Sequence, residues 1–360
     1  MKKNAYALGT LIALTQVLAA DQAPVVLESS VLKEPTSVIT PSISPVQDGC
    51  GFTFSADFIW WKSQLAGTTY AGTGVQDGNV NVPSFTNPKK GRLTTPNYNF
   101  QPGFKLGASY DTSHDGWDLA ATWTWLNGDE NRNHLDSKPQ LGESMTGVTV
   151  TPVTGALATV PVLKASSEYE QRFNVLDLEL GRNFFISHRI ALRPFGGLKT
   201  AWITEDLLLH FTTTGNSALL GSQTYRINQH RHQHMWGLGM RGGINSVWQF
   251  NNNWGVYGDF AATALWSDFH VRVKDKYTNA TTGAEFKDAH TGVTITQVNM
   301  VFEAGMGLTY MTWFSNDQYQ FKFKAGWEEQ VWLNFNNFTG LNQSGNLTLQ
   351  GLTLMASLGF

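Results

Sequence analysis

Gly351-Leu-Thr-Leu-Met-Ala-Ser-Leu-Gly-Phe360 is the stretch on which the fold turns. Leu352, Leu354, Ala356, Leu358 and Phe360 are apolar and lie two apart, while Thr353, Met355, Ser357 and Gly359 fill the gaps. A period of two describes a strand with one greasy face. A soluble domain rarely finishes on such a strand with an unshielded aromatic, because termini fray. The closing strand of a membrane β-barrel has this form.

Composition points the same way. Charged residues make up 15% of the 360 residues, well below the roughly 25% of soluble domains. Yet the mean hydropathy is only −0.22, and past residue 20 no run approaches the roughly 18 apolar residues of a membrane helix. The formal net charge of −3 gives no support for a nucleic-acid partner.

The N-terminus reads as a secretory signal peptide over residues 1–20. Lys2 and Lys3 form its basic start, Ala5 to Leu18 its apolar run, and Val17-Leu18-Ala19-Ala20 its small-residue cleavage region. Residues 21–49 hold Pro24, Pro35, Pro41 and Pro45, a density that blocks regular pairing. They are expected to form a flexible periplasmic leader, with a small plug as the alternative. The barrel is expected over residues 50–360. Cys50 is the sole cysteine and can make no intramolecular disulfide; a passive thiol and an intermolecular bridge both stay open.

From residue 51 onward the alternation recurs. Phe52, Phe54, Ala56, Phe58 and Trp60 share one face against Thr53, Ser55 and Asp57. Comparable strands run through Phe104–Tyr110, Trp117–Trp125, Leu176–Leu180, Leu192–Trp202, Trp236–Ile244, Trp254–Ala262, Val298–Leu308 and Tyr319–Trp327. With the closing stretch these make ten. Short connectors (Asp111–Gly116, Asn183–Arg189, Gln249–Asn253, Thr312–Gln318) take strict turns with long ones (Ser63–Pro102, Asn127–Ser167, Glu205–Gln233, Lys274–Thr294, Leu333–Gly345). An outer-membrane barrel has short periplasmic turns and long outer loops, with an even strand count. The expected fold is therefore all-β: a closed antiparallel transmembrane β-barrel with ten visible strands. The two longest loops could hide further hairpins, as the weak alternation at Gly147–Pro152 suggests, so twelve or fourteen strands stay open. None of the 13 Trp falls in a long loop, as aromatic girdles at the bilayer interfaces require.

On the polar face Lys105, Asp177, Glu179, Arg193, Lys199, Arg241, Asp259, Glu303, Lys322 and Lys324 are expected to line the lumen, together with Asp57, Asp118 and Glu328. They could wall a water-filled channel or seal a narrow barrel with salt bridges. His230, His232 and His234 share one strand face at about 6.5–7 Å spacing. A metal shared with a loop residue would suit them. Their parity with Trp236 puts them on the outward face above the membrane, where a solvated extension or headgroup contact is the preferred reading. A hydrolase would need a Ser or paired carboxylates near a His at one rim. His210, His270 and His290 have Asp206, Asp268 and Asp288 nearby. Such pairs arise by chance on polar loops, so no catalytic residue, cofactor or metal site is assigned.

Cys50-Gly-Phe-Thr-Phe-Ser-Ala-Asp-Phe-Ile-Trp-Trp-Lys62 and Gly67-Thr-Thr-Tyr-Ala71 resemble the opening strand of the Legionella-type major outer membrane protein family. That family includes the MOMP-like proteins of environmental chlamydiae. Leu176-Asp-Leu-Glu-Leu-Gly-Arg182 with Leu192-Arg-Pro-Phe-Gly-Gly-Leu-Lys199 is similar to its central strand–turn–strand, and the terminal Phe is similar too. The resemblance covers roughly residues 50–360 and implies an abundant outer-membrane barrel, with porin activity and adhesion as expectations. It transfers no functional residue, because the motif is structural. The chain departs from cysteine-rich relatives, so extensive cross-linking through Cys50 is not expected.

The expected function is passive diffusion of small hydrophilic solutes across the bacterial outer membrane, without enzyme activity. The alternative is a structural or adhesive surface protein with a sealed barrel. Expected partners are outer-membrane lipids, the barrel-assembly machinery and small solutes, with homo-oligomer formation left open. The resemblance implies that Phe360 is the signal read during assembly. Deleting Phe360 should cut the amount of inserted barrel sharply and leave inserted molecules behaving as wild type. Unchanged yield in membrane fractions would remove that role.

Overall fold

The computed structural model describes residues 40–41, 51–75, 91–112, 115–136, 143–150, 157–187, 189–213, 224–316, 318–338 and 345–360. The expected signal peptide, nearly all of the expected leader, and Cys50 lie outside them.

Fifteen strands are described: β1 (Thr40–Pro41), β2 (Phe52–Leu65), β3 (Ala71–Val75), β4 (Gly91–Thr94), β5 (Phe100–Asp111), β6 (Trp117–Asp136), β7 (Glu143–Val150), β8 (Leu157–Arg182), β9 (Phe184–Ser187), β10 (Ile190–Thr213), β11 (Tyr225–Gln249), β12 (Trp254–Asn279), β13 (Glu285–Phe314), β14 (Tyr319–Trp332) and β15 (Leu347–Gly359). Ten of them, β2, β5, β6, β8 and β10 to β15, pair antiparallel around a closed ring. The ring shuts where β15 meets β2, with Leu347 opposite Leu65 and Gly359 opposite Thr53. Phe360 extends this seam. Its amide donates to the Phe52 carbonyl at 2.9 Å and its carbonyl accepts from the Phe52 amide at 3.1 Å. The Phe360 ring stacks on Phe54 with centroids 5.8 Å apart.

The other strands lie outside the ring. The weak alternation near Gly147 is a real strand, β7, but it pairs only with the start of β8 and with β3. β4 adds to β3, and β9 lies between β10 and β1. None of them widens the barrel.

The outer segments are long, yet much of their length is ladder. β10 runs on to Thr213 before β11 begins at Tyr225, and β12 runs on to Asn279 before β13 begins at Glu285. Most of the expected loops Glu205–Gln233 and Lys274–Thr294 is therefore paired strand. Above the lipid the outer wall meets water, so the one-sided apolar signal fades while backbone pairing continues. The β12–β13 hairpin turns tightly. The Asn279 side chain accepts from the amides of Thr281 and Thr282 at 2.9 and 3.0 Å. Gly283 sits at φ 72°, the left-handed region where a side chain is disfavoured.

Two aromatic rings mark the membrane. Trp248 and Trp254 stand at the short-turn end, with Trp236 and Trp266 facing outward 12 residues away on β11 and β12. At about 3.3 Å per residue and a tilt of about 40°, 12 residues rise about 30 Å. That matches a bilayer's hydrocarbon core. Between the rings the outer face is bare hydrophobe: Met240 is 77% exposed, Met306 68% and Val298 63%. In water such a continuous patch would drive aggregation; in lipid it is solvated. Turn chemistry holds the short end, where the Asn251 side chain accepts from the Trp254 amide at 2.7 Å and Thr112 Oγ1 donates to the Trp117 carbonyl at 2.7 Å.

At Gly197 the β10 backbone stands hard against β8. A Cβ there would overlap the Leu178 carbonyl oxygen, whereas a Cβ at the neighbouring Gly196 meets open space. Gly197→Ala should therefore reduce the fraction of protein that gains the faster gel migration of a closed, unboiled barrel. Gly196→Ala should not. Equal behaviour of the two variants would contradict this packing.

Candidate functional site in the barrel lumen

Strand parity delivers the charged residues of nine strands to one place. In the periplasmic half, inward positions of β2, β5, β6, β8, β10, β12, β13 and β14 carry acids or bases, and β11 adds Arg241. Ten strands enclose little volume, so these groups meet. Lys199 is fully buried, with Nζ 2.8 Å from Asp177 Oδ1 and 2.9 Å from Glu303 Oε1. Arg241 bonds Glu303 through Nη1 at 2.5 Å and Glu179 through Nε at 3.2 Å. Arg193 donates to Asp118 at 2.9–3.0 Å through Nε, to Glu179 Oε2 at 3.0 Å and to Asn245 Oδ1 at 2.8 Å through Nη1. Asn245 passes the network to Asp259 at 3.0 Å. Lys324 stands 3.6 Å from Asp259 and 4.6 Å above the Tyr257 ring. Lys105 pairs with Glu328 and lies 4.7 Å from the centre of the Trp61 ring. An ion with bulk water on one side can keep part of its hydration shell. Lys199 cannot, so its two carboxylates replace that water.

Above this belt an apolar cluster fills much of the lumen. Ile59, Trp61, Leu126, Phe173, Ile203, Leu265, Val301 and Trp332 all point inward and are buried. The segment after β14, Asn334-Phe-Asn-Asn-Phe338, folds into the mouth and completes this core. Phe335 and Phe338 are buried, and the Phe335 ring lies 5.4 Å from Phe269 and 6.0 Å from Trp332. Its backbone needs partners there and finds them. Gln233 donates to the Phe335 carbonyl at 3.1 Å and accepts from the Asn337 amide at 2.8 Å. Asn299 donates to the Leu333 carbonyl at 2.8 Å, and Asn336 donates to the Ala66 carbonyl at 2.8 Å. Glu205, also buried, collects Tyr169 at 2.8 Å, Gln171 at 3.0 Å and Gln233 at 3.2 Å. The residues before β3 and before β5 close in from the other side. The Tyr98 hydroxyl donates to the Leu65 carbonyl at 2.9 Å and meets the Thr68 hydroxyl at 2.7 Å.

Below the belt a vestibule of about 1030 Å³ opens at the short-turn end, lined in part by Asp118, Arg189, Arg193, Lys322 and Lys324. A second space of about 210 Å³ lies among Asp177, Arg241, Glu303 and Glu328. Among the described residues no carboxylate stands within ion-pair distance of Lys322. Its side chain lines the vestibule.

All ten residues singled out from the sequence as lumen-facing stand on the inner face. Nine enter the ion-pair network, and Lys322 lines the vestibule beside it. The closing segment escaped sequence reasoning. Its signal was two Phe embedded in an Asn-rich stretch, large apolar residues where a wet loop has no use for them. The histidines follow the parity of Trp236. His230, His232 and His234 face outward, and Asp206 accepts from both His230 and His232. Of the candidate acid–base residues, His210 bonds Asn228 at 2.9 Å, and Asp268 accepts from Thr296. The side chain of Asp288 lies outside the described residues.

Solved structures similar to this chain include the outer membrane protease OmpT from Escherichia coli, 10% identical over 90% of this chain and 99% of that one, with a TM-score of 0.40. A Pseudomonas aeruginosa FadL homologue is 8% identical over 90% of this chain and 95% of its own, with a TM-score of 0.23. The P. putida toluene transporter TodX is 9% identical over 89% and 93%, also with a TM-score of 0.23. Likenesses this distant carry no chemistry to this chain. No curated protein matches it. The family described as Legionella pneumophila major outer membrane protein precursor matches residues 47–359. A ten-stranded closed barrel with a lipid-facing apolar wall, matched over nearly its whole length, belongs to that major outer membrane protein family and resides in the bacterial outer membrane.

Proposed function

We propose that this outer-membrane barrel is a sealed surface scaffold: it holds its long outer strands above the membrane, passes no solute in this conformation and carries out no reaction. The buried apolar cluster in the outer half of the lumen supports this reading. An open pore would wet its inward side chains, yet Phe173, Ile203, Leu265, Trp332 and Phe335 are all buried. The ion-paired belt beneath them adds a second closure.

A second reading, passive diffusion of small hydrophilic solutes, draws support from the vestibule and its mixed charges. It requires the segment 333–338 to leave the mouth. Its hold there is polar at a few points and apolar at Phe335 and Phe338. Truncating a buried Phe costs about 3–5 kcal/mol. Removing the Gln233 amide orphans buried backbone groups at about 1–3 kcal/mol each.

The two readings separate in a planar bilayer. Refolded wild-type protein should insert without stepwise conductance, and the double variant Gln233→Ala, Phe335→Ala should conduct. Sustained conductance of the wild type would replace the sealed reading with diffusion. The belt has its own test. Lys199→Met leaves Asp177 and Glu303 short of a cation, and breaking a buried pair costs about 3–5 kcal/mol. Urea unfolding in detergent micelles should show that loss as a lower midpoint.

A further inference from the structure

Alternation continues above the outer aromatic ring, so even-numbered positions of β10 and β11 face outward there. Register then sets specific side chains against one another. Asp206 stands directly opposite His232, and His230 follows two residues along on the same face. Both imidazoles turn toward one carboxylate oxygen. His230 Nε2 and His232 Nδ1 each lie 2.8 Å from Asp206 Oδ1, and one ligand atom from each residue lies within 4.8 Å of the other two. The next row is different: His234 Nδ1 is taken by Thr204 Oγ1 at 3.0 Å. Among the described residues this is the one group with such convergence of potential ligands.

We propose that Asp206, His230 and His232 form a binding site for a borderline divalent transition-metal ion, of which Zn²⁺ is the representative. The donor set is two imidazoles and a carboxylate. It suits Zn²⁺, Cu²⁺ or Ni²⁺, whereas Ca²⁺ and Mg²⁺ prefer oxygen alone. Bonds of about 2.0–2.2 Å in tetrahedral geometry put ligand atoms about 3.3–3.5 Å apart. The two 2.8 Å separations must therefore open by about half an ångström. Side-chain rotation provides this, because the side chains of His230, His232 and Asp206 are 41%, 31% and 20% exposed. Three protein ligands leave a position open to water or to an outer ligand, unlike a closed four-ligand structural site.

The surroundings are mixed in charge. On β8, Glu170 stands opposite Asp206 and Glu168 opposite Leu208, with Glu170 paired to Arg172 at 2.9 Å. On β12, Arg272 stands opposite His232 and Lys274 opposite His230. Both basic side chains are exposed and long enough to swing aside. The acidic flank favours a cation and offers Glu170 as a further oxygen. An ion bound here would tie β10 to β11 on the cell-surface side of the outer aromatic ring.

The test is Zn²⁺ titration calorimetry on full-length protein folded in detergent and stripped with chelator. One ion per chain is expected near neutral pH. Asp206→Asn and His232→Asn should each weaken binding at least ~tenfold, and His270→Gln, outward on β12, should bind as wild type. Loading with Cu²⁺ and recording its electron paramagnetic resonance should reveal two coordinating nitrogens, reduced to one in His230→Asn. Heat-modifiable migration of each variant shows that the barrel has formed. Should Asp206→Asn not fold, the two histidine variants decide alone. No saturable Zn²⁺ uptake, or wild-type affinity in the folded variants, would overturn the site and leave Asp206 as an anchor for two hydrogen-bonding imidazoles.

Discussion

Inside hydrocarbon there is no water to bond a free amide, so a sheet must close or fail. The pairing of β15 with β2 meets that demand, and other features of this molecule follow from it. With ten strands joined edge to edge, no unpaired strand edge remains within the ring. Once the ring closes, every residue of a spanning strand has only two destinations. Leu352, Leu354 and Leu358 turn toward lipid, and Thr353, Met355 and Ser357 toward the lumen. The aromatic rings at Trp236 and Trp248 fix how far up the wall this division holds.

Ten strands also make a narrow interior, and narrowness changes the chemistry of what faces inward. Lysines and carboxylates that would be hydrated in a wide pore are here deprived of water. Lys199 lies between Asp177 and Glu303, and Arg193 between Asp118 and Glu179, because each charge needs an opposite one in place of solvent. Such pairs add little net stability over an apolar core of the same shape. Their directionality orients β8, β10, β11 and β13 against one another. Above them apolar packing fills much of the lumen. Phe335, inserted from a connecting segment, fills space the wall residues cannot reach.

On the outer wall beyond the lipid the constraint relaxes. Water satisfies polar groups on that face, so β10 to β13 carry residues such as Asp206, His230, Arg272 and Lys274 there. The ladder continues nonetheless, because backbone pairing needs no apolar side chain. This is why most of the Lys274–Thr294 segment is a hairpin although its composition resembles a loop.

What the sequence determined by itself was everything governed by a period of two. Ten alternating stretches, the placement of Trp, and the alternation of short and long connectors were enough for a closed antiparallel barrel. The same parity put Lys199 and Arg241 on one face and His230 and His232 on the other. These are local properties: each depends on a strand and on the solvent at its two faces. Only the tertiary structure decided which inward charges meet, since Lys199 reaches Asp177 and Glu303 through strand register and barrel tilt, which no single stretch encodes. The same holds for Asn334–Phe338, whose burial depends on a mouth narrow enough to need filling. It holds too for Asp206, whose meeting with His232 exists only because β10 and β11 pair in that register.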